Sequence, residues 1–261
     1  MAYETIIVER NKGWLKITLN RPEAMNAVNT VMRKELLQVC GEVEYDPAIK
    51  VIVITGQEKV FCTGADLKEI KAYPDLYSYE MDNTRAFHKA YSFIQNLAKP
   101  VIAVISGYCL AGGLEMAISC DILIAADNAK IGDQHLNFGL LAGGGATQRL
   151  PRLIGLRKAL ELQLTGEWLS GKEAAEIGLI NKSAPADKLN DLMMEYVNKF
   201  VDKSPIALGR TKKLNWLAFE ASLSVGNELE ILTNTTHQMS EDRKEGLNAF
   251  TEKRKPNFPG R

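Results

Sequence analysis

Four short runs rich in β-branched residues, at 14–19, 51–55, 101–105 and 122–126, set the strongest limit on the fold. Most are nearly continuously apolar, so they read as strands covered on both faces rather than strands with one wet side. Between them, residues 31–43 and 76–97 mix polar and apolar positions at helical spacing. Strands alternating with helices build an α/β core.

After about Lys182 the pattern turns helical, with segments near 187–201, 205–221, 224–238 and 242–253 separated by Pro, Gly and Ser. The expected division is an α/β core over 1–185 and a helical region over 186–261. A chain of 261 residues with 46% hydrophobic content can bury a substantial core. Strand–turn–helix units recur loosely through the first half, without an exact repeat.

Thirty-two basic residues balance thirty-two acidic ones, so no net field draws the chain toward nucleic acid or an anionic membrane. An anionic ligand must be held by a local patch. Cys40, Cys62, Cys109 and Cys120 lack paired CxxC spacing and read as reduced thiols. The first residues lack a basic region followed by a long apolar run, and no apolar stretch approaches the length that spans a bilayer. A cytoplasmic location is the expectation.

Three segments are richer in glycine than packing requires: Phe61-Cys62-Thr63-Gly64-Ala65-Asp66, Gly107 to Glu115, and Gly139 to Thr147. Glycine lets backbone approach a ligand closely and adopt positive φ. Neither a dinucleotide fingerprint nor a P-loop spacing is present. In the second segment Ala111-Gly112-Gly113 follows a predicted strand and precedes a helical run at 114–120. The Gly112 amide then lies near a helix N-terminus, where unpaired N–H groups and the helix dipole stabilise a developing oxyanion.

Taken together and in order, Asn20-Arg21-Pro22 with Met25-Asn26-Ala27, the Phe61 to Asp66 segment, Lys99-Pro100-Val101-Ile102-Ala103, Gly107 to Glu115 with Cys120-Asp121, Ala146 to Leu150 and Glu252-Lys253-Arg254 resemble the motifs of the crotonase (enoyl-CoA hydratase/isomerase) superfamily. The resemblance runs from about Glu4 to the C-terminus. It implies a crotonase-like spiral of β-β-α units with a C-terminal helical layer, and an acyl-CoA site in the core. The helical region would serve oligomerisation and pocket closure, giving a homotrimer or a dimer of trimers. Coenzyme A would arrive as part of the substrate, with no separate cofactor and no metal.

By the same resemblance the thioester oxygen is held by the amides of Ala65 and Gly112. Thr63 and Ala65 flank the adenine position, Asp66 belongs to the same substrate-binding segment, and Lys68 is a candidate contact for a CoA phosphate. Glu115 matches the first of two glutamates that exchange protons with substrate and water. His135 occupies the place of the second, which is the main departure from the pattern. With Asp133 two residues upstream and Asn137 two downstream, an extended stretch would bring all three side chains to one face. Ala142 replaces a usual proline, and Gly143 matches the glycine that borders the water site.

An imidazole titrates near working pH and pairs attractively with a carboxylate, so His135 suits proton exchange. The change in charge points toward a substrate other than simple straight-chain enoyl-CoA, for example one with a cyclic acyl group. Hydration of a 2-enoyl-CoA is the leading expectation. Double-bond isomerisation and hydrolysis of a thioester or carbon–carbon bond are alternatives, as is a member that only binds acyl-CoA or RNA. Net neutrality and the lack of a basic, aromatic-interleaved stripe argue against RNA. His88 and His237 read as structural or surface residues, and most aromatics of 73–97 as core, with Tyr73 or Tyr77 as pocket candidates.

Overall fold

The computed structural model describes residues 3–57, 59–72 and 75–261, without the side chains of 76 and 78–80. The chain opens with an antiparallel pair, β1 (Ile6–Asn11) and β2 (Gly13–Leu19), turned by Gly13 at φ 85°. A helix, α1 (Thr30–Glu44), follows, its N-terminus capped by the Asn29 side chain, which accepts from the Met32 amide at 2.9 Å. Met32, Leu36, Val39, Cys40 and Val43 form its buried stripe, the i, i+4, i+7 spacing of an amphipathic helix.

Three strand pairs then repeat one motion: β3 (Ile49–Thr55) with β4 (Val60–Cys62), β5 (Val101–Ile105) with β6 (Tyr108–Leu110), and β7 (Ile122–Ala126) with β8 (Lys130–Gly132). The first strand of each pair joins a six-stranded sheet of order β1-β2-β3-β5-β7-β10, and the second joins a four-stranded sheet of order β4-β6-β8-β9. Neighbouring pairs are parallel in both sheets, with Ile102 opposite Ile122 in one and Cys109 opposite Ile131 in the other. Each turn of chain thus adds one strand to each layer, which is the expected spiral. β9 (Leu169–Ser170) and β10 (Lys182–Ala184) close the two sheets.

Helices α2 (Leu67–Lys71) and α3 (Leu76–Asn96) link the first and second turns, and α4 (Gly112–Ala117) links the second and third. Beyond β8 come α5 (Ala146–Ile154), α6 (Leu156–Thr165) and α7 (Gly171–Glu176). The four runs of apolar sequence are β2, β3, β5 and β7, and β5 is buried along its whole length.

The C-terminal helices are α8 (Leu189–Val201), α9 (Pro205–Leu217), α10 (Leu223–His237) and α11 (Glu241–Thr251). Helix α8 buries Leu189, Leu192, Met193 and Val197 and lies against β3 and β7. A buried ion pair fastens α9: Lys212 Nζ meets Asp121 Oδ2 at 2.7 Å and donates to the Lys99 carbonyl at 3.0 Å. Asp121 Oδ1 also accepts from the Trp216 indole at 3.0 Å. Breaking such a pair from one side costs about 3–5 kcal/mol, because the remaining charge is stranded. Helix α10 buries no residue of its own. No helix among the described residues is long and apolar enough to cross a membrane.

Candidate active site

The end of β4 is pressed against the first turn of α4 because Gly113 has no side chain. A Cβ there would stand 2.2 Å from the Cys62 carbonyl oxygen, an impossible contact. The approach brings the Ala65 segment onto the first turn of α4, where a Cβ on Gly112 would lie 3.3 Å from the Ala65 nitrogen.

Ala65 forms a parallel bridge to Val28: the Val28 amide donates to the Gly64 carbonyl at 2.7 Å and the Asp66 amide donates to Val28 at 3.0 Å. That pattern uses the groups flanking Ala65 and turns its own N–H to the opposite side. The Gly112 N–H, in the first turn of a helix, has no intrahelical acceptor. Among the described residues neither amide has a partner. Ala111 precedes Gly112 at φ 50° and ψ −123°, a conformation that costs an alanine about 1–3 kcal/mol and persists only where the surroundings impose it. One such restraint is the buried Tyr91 of α3, whose hydroxyl donates to the Gly112 carbonyl at 2.9 Å.

The early motif holds the other side of this pair. Asn26 donates to the carbonyls of Val60 and Phe61, both at 3.1 Å, while its own oxygen accepts from the Arg21 amide at 2.8 Å. Arg21 reaches Asp66 at 2.8 Å. Two backbone donors are therefore held close together by contacts spread over the first half of the chain, which is the preorganisation that an oxyanion hole requires.

Glu115 lies in the same first turn of α4, 2% exposed. One carboxylate oxygen, Oε1, accepts from the amides of Gly144 at 2.7 Å and Ala146 at 3.0 Å. The other, Oε2, lies 3.9 Å from His135 Nε2. Only glycine fits at 144, since a Cβ would meet Glu115 Oε2 and the Tyr91 ring at 2.7 Å. Burial pushes the Glu115 carboxyl above the ordinary glutamate range, against the opposing pull of the two amides and His135.

The stretch carrying His135 is not extended: residues His135–Phe138 form a 3-10 turn closed by Gly139 at φ 67°. The single face that an extended stretch would give Asp133, His135 and Asn137 therefore does not form. Asn137 turns away and donates to the Gly166 carbonyl at 3.0 Å. Asp133, just past β8, still meets His135, because its side chain folds back over the turn: His135 Nδ1 lies 2.5 Å from Asp133 Oδ1. A carboxylate can only accept, so Nδ1 carries the hydrogen. The second oxygen, Asp133 Oδ2, accepts from the Gln163 amide on α6 at 2.8 Å. Burial alone would lower the His135 pKa, but the neighbouring Asp133 and Glu115 raise it above that of a free imidazole.

Of the residues expected to act, Ala65 stands beside Gly112, and Glu115 beside His135. Gly143 precedes the amide that anchors Glu115 and packs against Thr84 of α3, where a Cβ would come within 3.3 Å. Thr63, Asp66 and Lys68 lie apart, on the Ala65 side. The Thr63 hydroxyl donates to the Met25 carbonyl at 3.2 Å. Asp66 caps α2 and pairs with Arg21, and Lys68 is exposed on α2. Tyr77 is exposed, and Tyr73 lies outside the described residues. His88 is exposed and His237 half-buried. The four cysteines are buried and free.

A cavity of about 990 Å³ between α8, α9 and the core, lined by Ile122, Phe200, Leu208 and Trp216 among others, contains none of these residues. The candidate site lies elsewhere, where the Gly144 and Ala146 amides, Glu115 and His135 converge. The contributions of Tyr91 and Gln163 were not foreseen. Both act through contacts between distant parts of the chain, and nothing local in the sequence signals them.

A family model described as enoyl-CoA hydratase/isomerase matches residues 9–261. A protein named as a probable enoyl-CoA hydratase in Mycobacterium bovis is 40% identical over 261 residues, covering 100% of both chains. A 2,3-dehydroadipyl-CoA hydratase of Escherichia coli is 36% identical, covering 98% of this chain and 99% of that protein. Among solved structures, an enoyl-CoA hydratase from Bacillus anthracis superposes with a TM-score of 0.94 at 33% identity, covering 99% of this chain and 100% of that one.

Proposed function

The chain belongs to the enoyl-CoA hydratase/isomerase family, and from that premise we propose that it adds water across the double bond of a 2-enoyl-CoA. The observation that carries this reading is the division of labour within one carboxylate: Glu115 Oε1 is anchored by the Gly144 and Ala146 amides, which leaves Oε2 to face His135 Nε2 at 3.9 Å.

In the proposed reaction the thioester oxygen accepts from the Ala65 and Gly112 amides. Glu115 removes a proton from water as its oxygen bonds to the β-carbon, and the π electrons move to the thioester as an enolate. Each amide donor contributes about 3 kcal/mol to that anion in a water-poor site. His135 Nε2–H then delivers a proton to the α-carbon. Glu115 has gained one proton and His135 has lost one, so transfer between them restores the enzyme. The sum is one water added, with no other reactant.

Thr63, Asp66, Lys68 and Gly143 belong to the proposed substrate-binding surface, Asp66 by shaping the Ala65 segment and Lys68 as an exposed cation available to a CoA phosphate. We further propose an acyl group other than a simple straight chain, for example a cyclic one, because an imidazole in place of a carboxyl beside the acyl position alters the shape of the pocket there, while its pairing with Asp133 offsets the change in charge. A homotrimer or dimer of trimers is proposed on the apolar surface of the last helices: Leu223, Ile231 and Leu232 of α10 and Phe250 of α11 are all more than half exposed in the single chain. Turnover of a panel of linear, alicyclic and aromatic-derived enoyl-CoAs tests the substrate reading. Preference for crotonyl-type linear chains would defeat the cyclic assignment.

A further inference from the structure

We propose that Asp133 and Gln163 are positioning residues that act through His135, holding its Nδ1–H on a carboxylate so that Nε2 is the atom presented to Glu115 and substrate. This deepens the hydratase reading and rests on it for the rate measurements below.

Asp133 has a side chain only 4% exposed. A buried carboxylate is expensive unless each oxygen is satisfied, and here both are: Oδ1 pairs with His135 Nδ1 at 2.5 Å and accepts from its amide at 3.2 Å, while Oδ2 accepts from Gln163 Nε2 at 2.8 Å. His135 is the only cationic group in contact with Asp133 among the described residues. A turn-forming aspartate needs only the amide contact. The ring contact and the brace from α6 are additional, and they fix two rotations: that of the carboxylate by Gln163, and that of the imidazole by the carboxylate.

The arrangement also settles the charge. The groups that face His135 are Asp133 from the end of β8 and Glu115 from α4. With His135 protonated, the Asp133–His135 pair is neutral and carries one transferable proton, as a carboxylic acid would. The site then keeps the single net negative charge of Glu115. The donor differs from a carboxylic acid in remaining protonated to higher pH, since both carboxylates favour the imidazolium. Neutralising Asp133 removes one of those two supports and frees the ring to rotate.

The test combines Asp133→Asn with Gln163→Ala and a His135→Ala background. In wild-type protein labelled with ¹⁵N-histidine, which has three histidines to resolve, the His135 signals should report a protonated Nδ1 in the neutral ring and titrate above a free imidazole. In Asp133→Asn the titration should move to lower pH and the tautomer should mix, and Gln163→Ala should do the same more weakly. This readout needs no turnover, so it stands even if the hydratase reading fails. With an enoyl-CoA substrate, Asp133→Asn should lower kcat about tenfold or more at neutral pH with KM little changed, and the alkaline limb of the rate should shift down. In the His135→Ala background the same substitution should cost nothing further. An unchanged tautomer and titration in Asp133→Asn would overturn the proposal, as would an undiminished loss of rate in the His135→Ala background. If Asp133→Asn does not fold, Gln163→Ala decides by the same signals.

Discussion

Glu115 and His135 approach through one oxygen and one nitrogen, Oε2 and Nε2, 3.9 Å apart, and each presents that atom because its other polar atom is held: Glu115 Oε1 by two amides and His135 Nδ1 by Asp133. Neither group can turn its free atom away without breaking a buried hydrogen bond. Such bonds are costly to lose, about 1–3 kcal/mol for each group left unsatisfied.

Glu115→Gln should leave the fold and acyl-CoA binding intact while removing most of the rate, since the amide keeps the shape but cannot accept a proton. The loss should fall in the roughly 100- to 10,000-fold span of a general acid or base. Steady-state kinetics with a direct binding measurement reads both parts. An unchanged kcat would make Glu115 structural.

Gly112→Pro removes one proposed oxyanion donor. Proline is favoured at the first position of a helix, and there it replaces the N–H with a ring carbon, which removes the donor and occupies its direction. The added ring must be accommodated against Gly64, whose Cα would lie 3.2 Å from the new Cβ, and circular dichroism checks that the variant folds. A folded variant should be slower by about 100-fold or more. Near-normal turnover would remove Gly112 from the mechanism.

Much of this arrangement was legible in the sequence. The four apolar runs are the central strands of the larger sheet, and the ordered glycine-bearing motifs located Ala65, Gly112 and Glu115. The second sheet was not seen, because β4, β6 and β8 have three residues each and too few positions to display an alternation. The 3-10 turn at His135 was hidden for a related reason. A polar–apolar sequence of five residues fits an extended strand as well as a turn. Partners such as Asp133 with Gln163, or Arg21 with Asp66, are 30 and 45 residues apart and are brought together only by the spiral.

The pH–rate profile should have two limbs. In the proposed mechanism Glu115 acts deprotonated, and its carboxyl is raised by burial, so the rate should fall on acidification at a pH above that of an ordinary glutamate. The same mechanism uses His135 protonated, and its pKa is raised by Asp133 and Glu115 despite burial, so the rate should fall on alkalinisation above the usual imidazole value of about 6.5. The two limbs belong to the coupled pair. His135→Ala should abolish the alkaline limb and lower the plateau without unfolding the protein. His135→Glu should restore a carboxylate pair and favour straight-chain substrates. Full activity in His135→Ala would favour a one-base isomerisation.

The exposed apolar faces of α10 and α11 should be covered in solution. Light scattering should give a mass of three or six chains, and Leu232→Glu should reduce it. A monomer at all concentrations would contradict the proposed assembly.

The central claim is hydration, and the direct measurement is turnover of a 2-enoyl-CoA in ¹⁸O-labelled water followed by mass analysis of the product. The proposed mechanism predicts a 3-hydroxyacyl-CoA that carries one solvent oxygen on its β-carbon, formed by the wild-type protein and lost in Glu115→Gln. A product with a displaced double bond and no solvent oxygen, or free acid with released coenzyme A, would contradict it.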